Sequence, residues 1–132
     1  MKTRKLLAIV LLCVILSSAL GIVVYARWVN TVSVSCGVTF SGRVASCSGS
    51  LTAATGSTID ATLTLYKKNV SGGWDPVSGA SWPKYVPLPV LSYNQTFTVN
   101  SAGTYKVTLT ATVSRNGVDE LISWDSPEQS CN

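Results

Sequence analysis

Cys36 and Cys47 are the residues nearest to a chemical motif, in the stretch SVSCGVTFSGRVASC. Thiols there could form a disulfide, act as redox nucleophiles or bind a metal. Redox catalysis needs an exposed thiol of low pKa, whereas these two alternate with apolar residues that should face a core. A zinc site is also disfavoured, because the chain has no histidine. The pair therefore predicts a structural disulfide between Cys36 and Cys47.

Cys131 leaves an odd thiol once an N-terminal apolar run that contains Cys13 is set aside. An odd cysteine in an exported protein suggests a partner elsewhere. Two arrangements stay open. Either Cys131 is free or intermolecular beside a 36–47 disulfide, or it takes Cys36 or Cys47 as its own partner.

Groups for acid–base catalysis are scarce. Histidine is absent, and the six Asp and Glu residues are single or lie in the C-terminal segment around Asp119, Glu120, Asp125 and Glu128. Serines supply hydroxyl nucleophiles without an adjacent base. We predict a protein that is not an enzyme and that holds no cofactor and no metal.

Large aromatic side chains are concentrated in residues 69–91, NVSGGWDPVSGASWPKYVPLPVL. Trp74, Trp82 and Tyr85 there would suit a ligand-binding site, because rings on loops stack on sugars or anchor protein partners. The alternative is that Trp74 and Trp82 close an open edge or end of the fold. The prolines predict an irregular segment that guards a sheet edge.

The stretch around the cysteines alternates between apolar and small polar residues, as half-buried β-strands do. A two-residue turn at Ser41-Gly42 would put both apolar sets on one face and Cys36 directly opposite Cys47. Opposed antiparallel residues have Cα atoms about 4.5–5.5 Å apart, which a disulfide can bridge. The apolar positions are Val32, Val34, Cys36, Val38 and Phe40 in the first run and Ala45, Cys47, Gly49, Leu51 and Ala53 in the second.

Alternation continues on both sides of the irregular residues 69–91, and no helical pattern follows residue 27. Asn116-Gly117 is the strongest hairpin signal. The positions expected to face the core are Ile59, Ala61, Leu63 and Leu65, then Phe97 and Val99, then Tyr105, Val107, Leu109, Ala111 and Val113, and finally Val118, Glu120, Ile122 and Trp124.

The N-terminus has the three parts of a secretory signal. Basic residues Lys2, Arg4 and Lys5 precede an apolar run from Leu6 to Val24, and Ala26 ends a small-x-small exit. We predict a signal peptide over 1–26 and one domain over 27–132. Because the apolar run is close to the length that spans a bilayer, an uncleaved signal anchor is the alternative.

These patterns predict an all-β chain: a single antiparallel β-sandwich of six to seven strands, Ig-like or fibronectin type III-like, preceded by a hydrophobic signal helix. The segment from Ser101 to Val107 resembles the tyrosine corner of such domains, in which the hydroxyl of Tyr105 would bond to nearby backbone. With LTLYKKNVSGGWDPVS and AGTYKVTLTATV, the chain resembles short secreted bacterial Ig-like or fibronectin type III-like β-sandwich proteins of uncharacterised function. That resemblance implies the fold and export, and it implies no site residues.

Charge and export limit the partners. Without the first 26 residues, seven basic and six acidic residues remain, too even a balance for nucleic-acid binding. We predict a secreted or cell-surface, non-catalytic binding or adhesion module for an extracellular protein or glycan, with membrane contact only through an uncleaved N-terminal segment. Two alternatives stay open: a carbohydrate-binding module that uses Trp74, Trp82 and Tyr85, and a structural subunit that assembles through an edge strand or Cys131.

Overall fold

The structure, a computed structural model, describes residues 28–132, so the predicted signal segment lies outside the described residues. Eight β-strands make up this part of the chain. Their bounds are β1 Thr31–Ser41, β2 Val44–Ala53, β3 Thr58–Lys68, β4 Trp74–Val86, β5 Val90–Thr98, β6 Gly103–Arg115, β7 Val118–Asp125 and β8 Gln129–Cys131.

The strands form two antiparallel sheets. One has the order β1-β2-β5, and the other has the order β4-β3-β6-β7, with β8 also paired to β6. β8 pairs with β6 from Gly103 to Tyr105, and β7 pairs with β6 from Thr108 to Arg115. Buried residues from both sheets belong to one hydrophobic cluster. The predicted all-β class is therefore confirmed, with eight strands in place of the predicted six to seven.

Alternation identified the inward rows of β3 and β6 correctly, whereas in β7 only Ile122 of the predicted row is buried, and Val118 and Trp124 are exposed. In β3 the residues Ile59, Leu63 and Leu65 are fully buried, as are Val107 and Leu109 in β6. β3 pairs with β6 directly, so the two inward rows meet side by side. Burial of each Leu or Ile contributes about 1.5–3 kcal/mol to stability.

The register between β1 and β2 differs from the predicted one. Gly42 and Arg43 form the turn, so Ser41 pairs with Val44. Gly42 has φ 60°, and glycine at the first central position is what a type II′ hairpin turn favours. The predicted turn at Ser41-Gly42 put this glycine second, and every pair is displaced as a result.

Residues 69–91 are more regular than their prolines suggest. A 13-residue strand, β4, occupies Trp74–Val86 at the edge of the larger sheet. Its register against β3 jumps between Thr64 and Tyr66, which pair with Ser81 and Pro76. Prolines are tolerated on such an edge, because their missing N–H groups interrupt no ladder within the sheet.

Both local turn signals in the second half of the chain are present. Asn116 and Gly117 have φ 52° and 76°, as a type I′ hairpin requires, and they join β6 to β7. At the start of β6, the Tyr105 hydroxyl donates to the backbone carbonyl of Ser101 at 2.7 Å. This is the bond that the tyrosine-corner resemblance implied.

Candidate functional site

The three cysteines in the described part of the chain are free thiols. The predicted cross-strand pairing is wrong: Cys36 pairs with Gly49, and Cys47 pairs with Val38. They are therefore diagonal neighbours on the inner face. Diagonal neighbours across two antiparallel strands are about 7–8 Å apart, and their Cβ atoms are somewhat closer. Burial raises the pKa of each thiol to about 11, so neither resembles a reactive cysteine.

Cys131 lies at the other end of the sequence and is 3% exposed. Its thiol donates to the carbonyl of Gly42 in the β1–β2 turn at 3.4 Å. A thiol this buried is poorly placed for a bond to another molecule.

The three predicted ligand-binding aromatics do not share a surface. Trp82 pairs with Leu63, a fully buried residue, and packs against the hydrophobic core. Tyr85 pairs with Asp60 and is 62% exposed, so it lies on the outer face of the sheet. Trp82 thus contributes to the core.

Trp74 is also far from Tyr85. Their partners on β3 are Lys68 and Asp60, and an eight-residue separation along a strand is about 26 Å. The Trp74 ring lies 4.6 Å from the Lys106 ammonium and 5.7 Å from that of Lys68. Its neighbours on the outer face are therefore cationic, and the three aromatics do not form one sugar platform.

A groove lies at the end of the molecule where β3 meets β4, and we call it the end groove. Its volume is about 480 Å³, within the range of small-ligand sites. One wall comes from the end of β3, its turn and the start of β4, and the other from the end of β5 and the connection to β6. The lining residues are Lys67, Lys68, Asn69, Val70, Asp75, Pro76, Val77, Ser78, Phe97, Asn100 and Ser101.

The groove has an apolar floor. Phe97 and Val77 are half-buried and pack against the hydrophobic core. The register jump in β4 frees residues between Pro76 and Ser81 from pairing with β3, and Val77 lies in that stretch. Gly79 in the same stretch has φ 83°, a conformation that favours glycine.

A lysine joins the two walls of the groove. Lys67 Nζ donates to the hydroxyl of Ser101 at 2.5 Å and lies 6.0 Å from the Tyr105 ring. The tyrosine corner fixes Ser101 from the other side, through its carbonyl. The ammonium group of Lys67 therefore lies at the groove, and Tyr105 holds the backbone of its partner Ser101 in place.

The turn in the first wall is organised by Asn69. Its side-chain oxygen accepts the N–H groups of Ser71 and Gly73 at 3.0 and 2.9 Å. Its amide donates to Asp75 at 3.3 Å. Asx side chains often close turns in this way. The sequence showed the turn residues here, but nothing in it linked them to Phe97 or Asn100.

The groove offers groups that can bind a ligand. A lysine, a carboxylate, amides and hydroxyls surround an apolar floor, which suits a ligand with both polar and apolar parts. Among residues 28–132, no three His, Cys, Asp or Glu side chains cluster as metal ligands. Within the same range, no helix is long and apolar enough to cross a membrane.

No protein-family model matches the chain, and no curated protein matches it. Among solved structures, it is similar to wild-type OgpA from Akkermansia muciniphila, with a TM-score of 0.44 and 12% identity. The similarity covers 80% of this chain and 31% of that chain. A similarity this low indicates neither a shared fold nor a shared function.

Proposed function

We propose that this chain is a secreted or cell-surface, non-catalytic binding module and that the end groove is its ligand-binding site. The expected ligand is an extracellular protein or glycan. The observation that carries the proposal is the groove itself, in which Phe97 and Val77 form an apolar floor beside the cation of Lys67. Loops and strand ends held by a rigid scaffold are where binding residues concentrate.

An Ig-like or fibronectin type III-like sandwich is the fold that we propose for the module. Tyr105 and Ser101 supply the tyrosine corner of that class. β4 lies beside β3, the place that strand C′ takes in variable-type domains, rather than beside β5 as in constant-type domains. The end groove then lies at the end of the sandwich that carries the β3–β4 turn and the β5–β6 connection, opposite the end at which variable-type domains carry their binding loops.

Binding screens with a blocked groove test the function. The exported protein is screened against immobilised glycans and extracellular proteins, beside Asn100→Trp, which fills the groove from its rim. Asn94→Trp is the matched control, because Asn94 is also exposed but lies on β5 outside the groove. We expect an immobilised ligand that binds the wild type and the Asn94→Trp variant but does not bind the Asn100→Trp variant. Equal retention by all three proteins would reject the end groove as the site.

A further inference from the structure

We propose that β1 is an assembly edge and that it pairs antiparallel with β1 of a second copy of this chain. Every open sheet has edge strands whose backbone N–H and C=O groups can pair with another chain. Proteins block such edges with prolines, charges, bulges or covering groups. The edges of the two sheets here are β1 and β5, and β4 and β7.

Both edges of the larger sheet are blocked. β4 contains Pro76 and Pro83, which lack N–H groups, and its register against β3 is broken. β7 carries the carboxylates of Asp119, Glu120 and Asp125. Pairing β7 with a second β7 would bring these like charges together, which opposes association.

The β5 edge is blocked by a neighbouring lysine. Lys84 on β4 donates to the backbone carbonyl of Ser92 at 2.8 Å, so its ammonium group lies against this edge. A strand added to β5 would have to displace that charged hydrogen bond.

β1 has no equivalent protection along most of its length. TVSVSCGVTFS, residues 31–41, contains no charge and no proline. Its outer face carries only small residues, Ser33, Ser35, Gly37, Thr39 and Ser41. The one irregularity is a bulge at Val32, which is 71% exposed and not inward as predicted. An uncharged edge strand of this length is a typical site of strand addition.

The strand is self-complementary about its centre. Residues 33–39 paired with a second copy place Cys36 opposite Cys36, and Val34 opposite Val38. On the outer face Ser35 opposes Gly37, so no charges meet. Val34 and Cys36 are only half-buried in one copy, and the pairing would cover their exposed sides.

Exposed apolar side chains lie next to this edge. The Cys36 thiol is 3.4 Å from the carbonyl of Trp124, whose ring packs against Trp28 at 5.7 Å between centroids. The two tryptophans are 43% and 38% exposed. Exposed apolar groups beside an open edge strand are consistent with a covered surface in an assembly.

Sedimentation velocity on the exported full-chain product, in mild detergent if it keeps the apolar run, tests the assembly. Ser35→Lys adds a charge to the β1 edge, and Ser50→Lys adds the same charge on the central strand β2. Both variants lose the same contact, because the two hydroxyls bond each other at 3.0 Å. We expect a dimer for the wild type and Ser50→Lys and at least a tenfold weaker dimer for Ser35→Lys. A monomeric wild type, or equal dimers for both variants, would overturn the proposal.

The register has its own test. With diamide as oxidant, two Cys36 thiols give one disulfide while the diamide is reduced to its hydrazine. We expect a covalent dimer that Cys36→Ser abolishes, and peptide mapping should join Cys36 to Cys36. A dimer linked through Cys47 or Cys131 would contradict the pairing. The result does not depend on the groove, so a chain that dimerises but binds nothing would reject the proposed function alone.

Discussion

The carboxylate of Glu120 accepts the backbone N–H of Thr31 at 3.0 Å, across 89 positions of sequence. The same carboxylate accepts the N–H groups of Val29 and Asn30. Asn30 donates in turn to the carbonyl of Val118 and accepts the N–H of Ala54. β7 therefore fixes the segment through which the chain enters β1.

We predict that Glu120→Gln loosens this segment and lowers the free energy of unfolding by about 1 kcal/mol, because it removes the charge from three hydrogen bonds at a partly exposed site. Urea unfolding with hydrogen exchange at Val29 and Thr31 measures both effects. Glu128→Gln is the control, since Glu128 makes only an exposed ion pair with Lys68 at 3.8 Å. A comparable loss of stability in Glu128→Gln would argue against a stabilising role for the Glu120 hydrogen bonds.

The effect of Glu120→Gln should depend on pH. Burial of the carboxyl opposes its ionisation, but the N–H hydrogen bonds prevail and lower the pKa of Glu120. A lowered pKa contributes stability that is fully present above the unfolded value, about 4.3, and is lost as the pH falls through the folded value. The difference between wild type and variant should therefore be constant near neutral pH and vanish in acid. A difference that grows in acid would contradict this assignment.

Local patterns in the sequence predicted the inward rows of β3 and β6, the Asn116-Gly117 hairpin and the bond of Tyr105, because each depends on neighbouring residues. The β1–β2 register could not be fixed in the same way, since one glycine can take either turn position and each choice keeps the apolar faces aligned. The end groove and the Glu120 contacts join segments that are distant in sequence, and no periodicity reports such contacts.

Tyr105→Phe should cost about 1–2 kcal/mol of stability, because it deletes a buried hydroxyl that bonds the Ser101 carbonyl at 2.7 Å. Tyr85→Phe is the matched control, since Tyr85 is 62% exposed and should change stability by less than about 0.5 kcal/mol. Chemical denaturation of both variants measures the difference. Loss of groove binding in Tyr105→Phe at full stability would show a second role in holding Ser101.

Trp82→Ala and Tyr85→Ala distinguish a core residue from a ligand-binding one. Trp82 packs against the core opposite Leu63, so we expect its removal to cost about 2–4 kcal/mol. Tyr85→Ala should leave stability nearly unchanged. Thermal unfolding and retention on polysaccharide are measured for both. A stable Trp82→Ala variant that is no longer retained on polysaccharide would instead support the predicted role of Trp82 in carbohydrate binding.

The inner-face cysteines yield the last prediction. Cys36 and Cys47 belong to residue pairs two steps apart along the β1–β2 ladder, a diagonal separation of about 7–8 Å that a disulfide cannot bridge. Burial also raises the pKa of both thiols to about 11, which slows disulfide exchange at neutral pH when no oxidant is added. We expect no Cys36–Cys47 peptide in non-reducing maps of the exported protein, and no change in its unfolding temperature with reductant. Cys47→Ala serves as a second check, because a disulfide would make it as destabilising as reduction, whereas a packed thiol costs only its small buried volume. A recovered Cys36–Cys47 peptide would show that β1 and β2 adopt the register that puts these residues opposite each other.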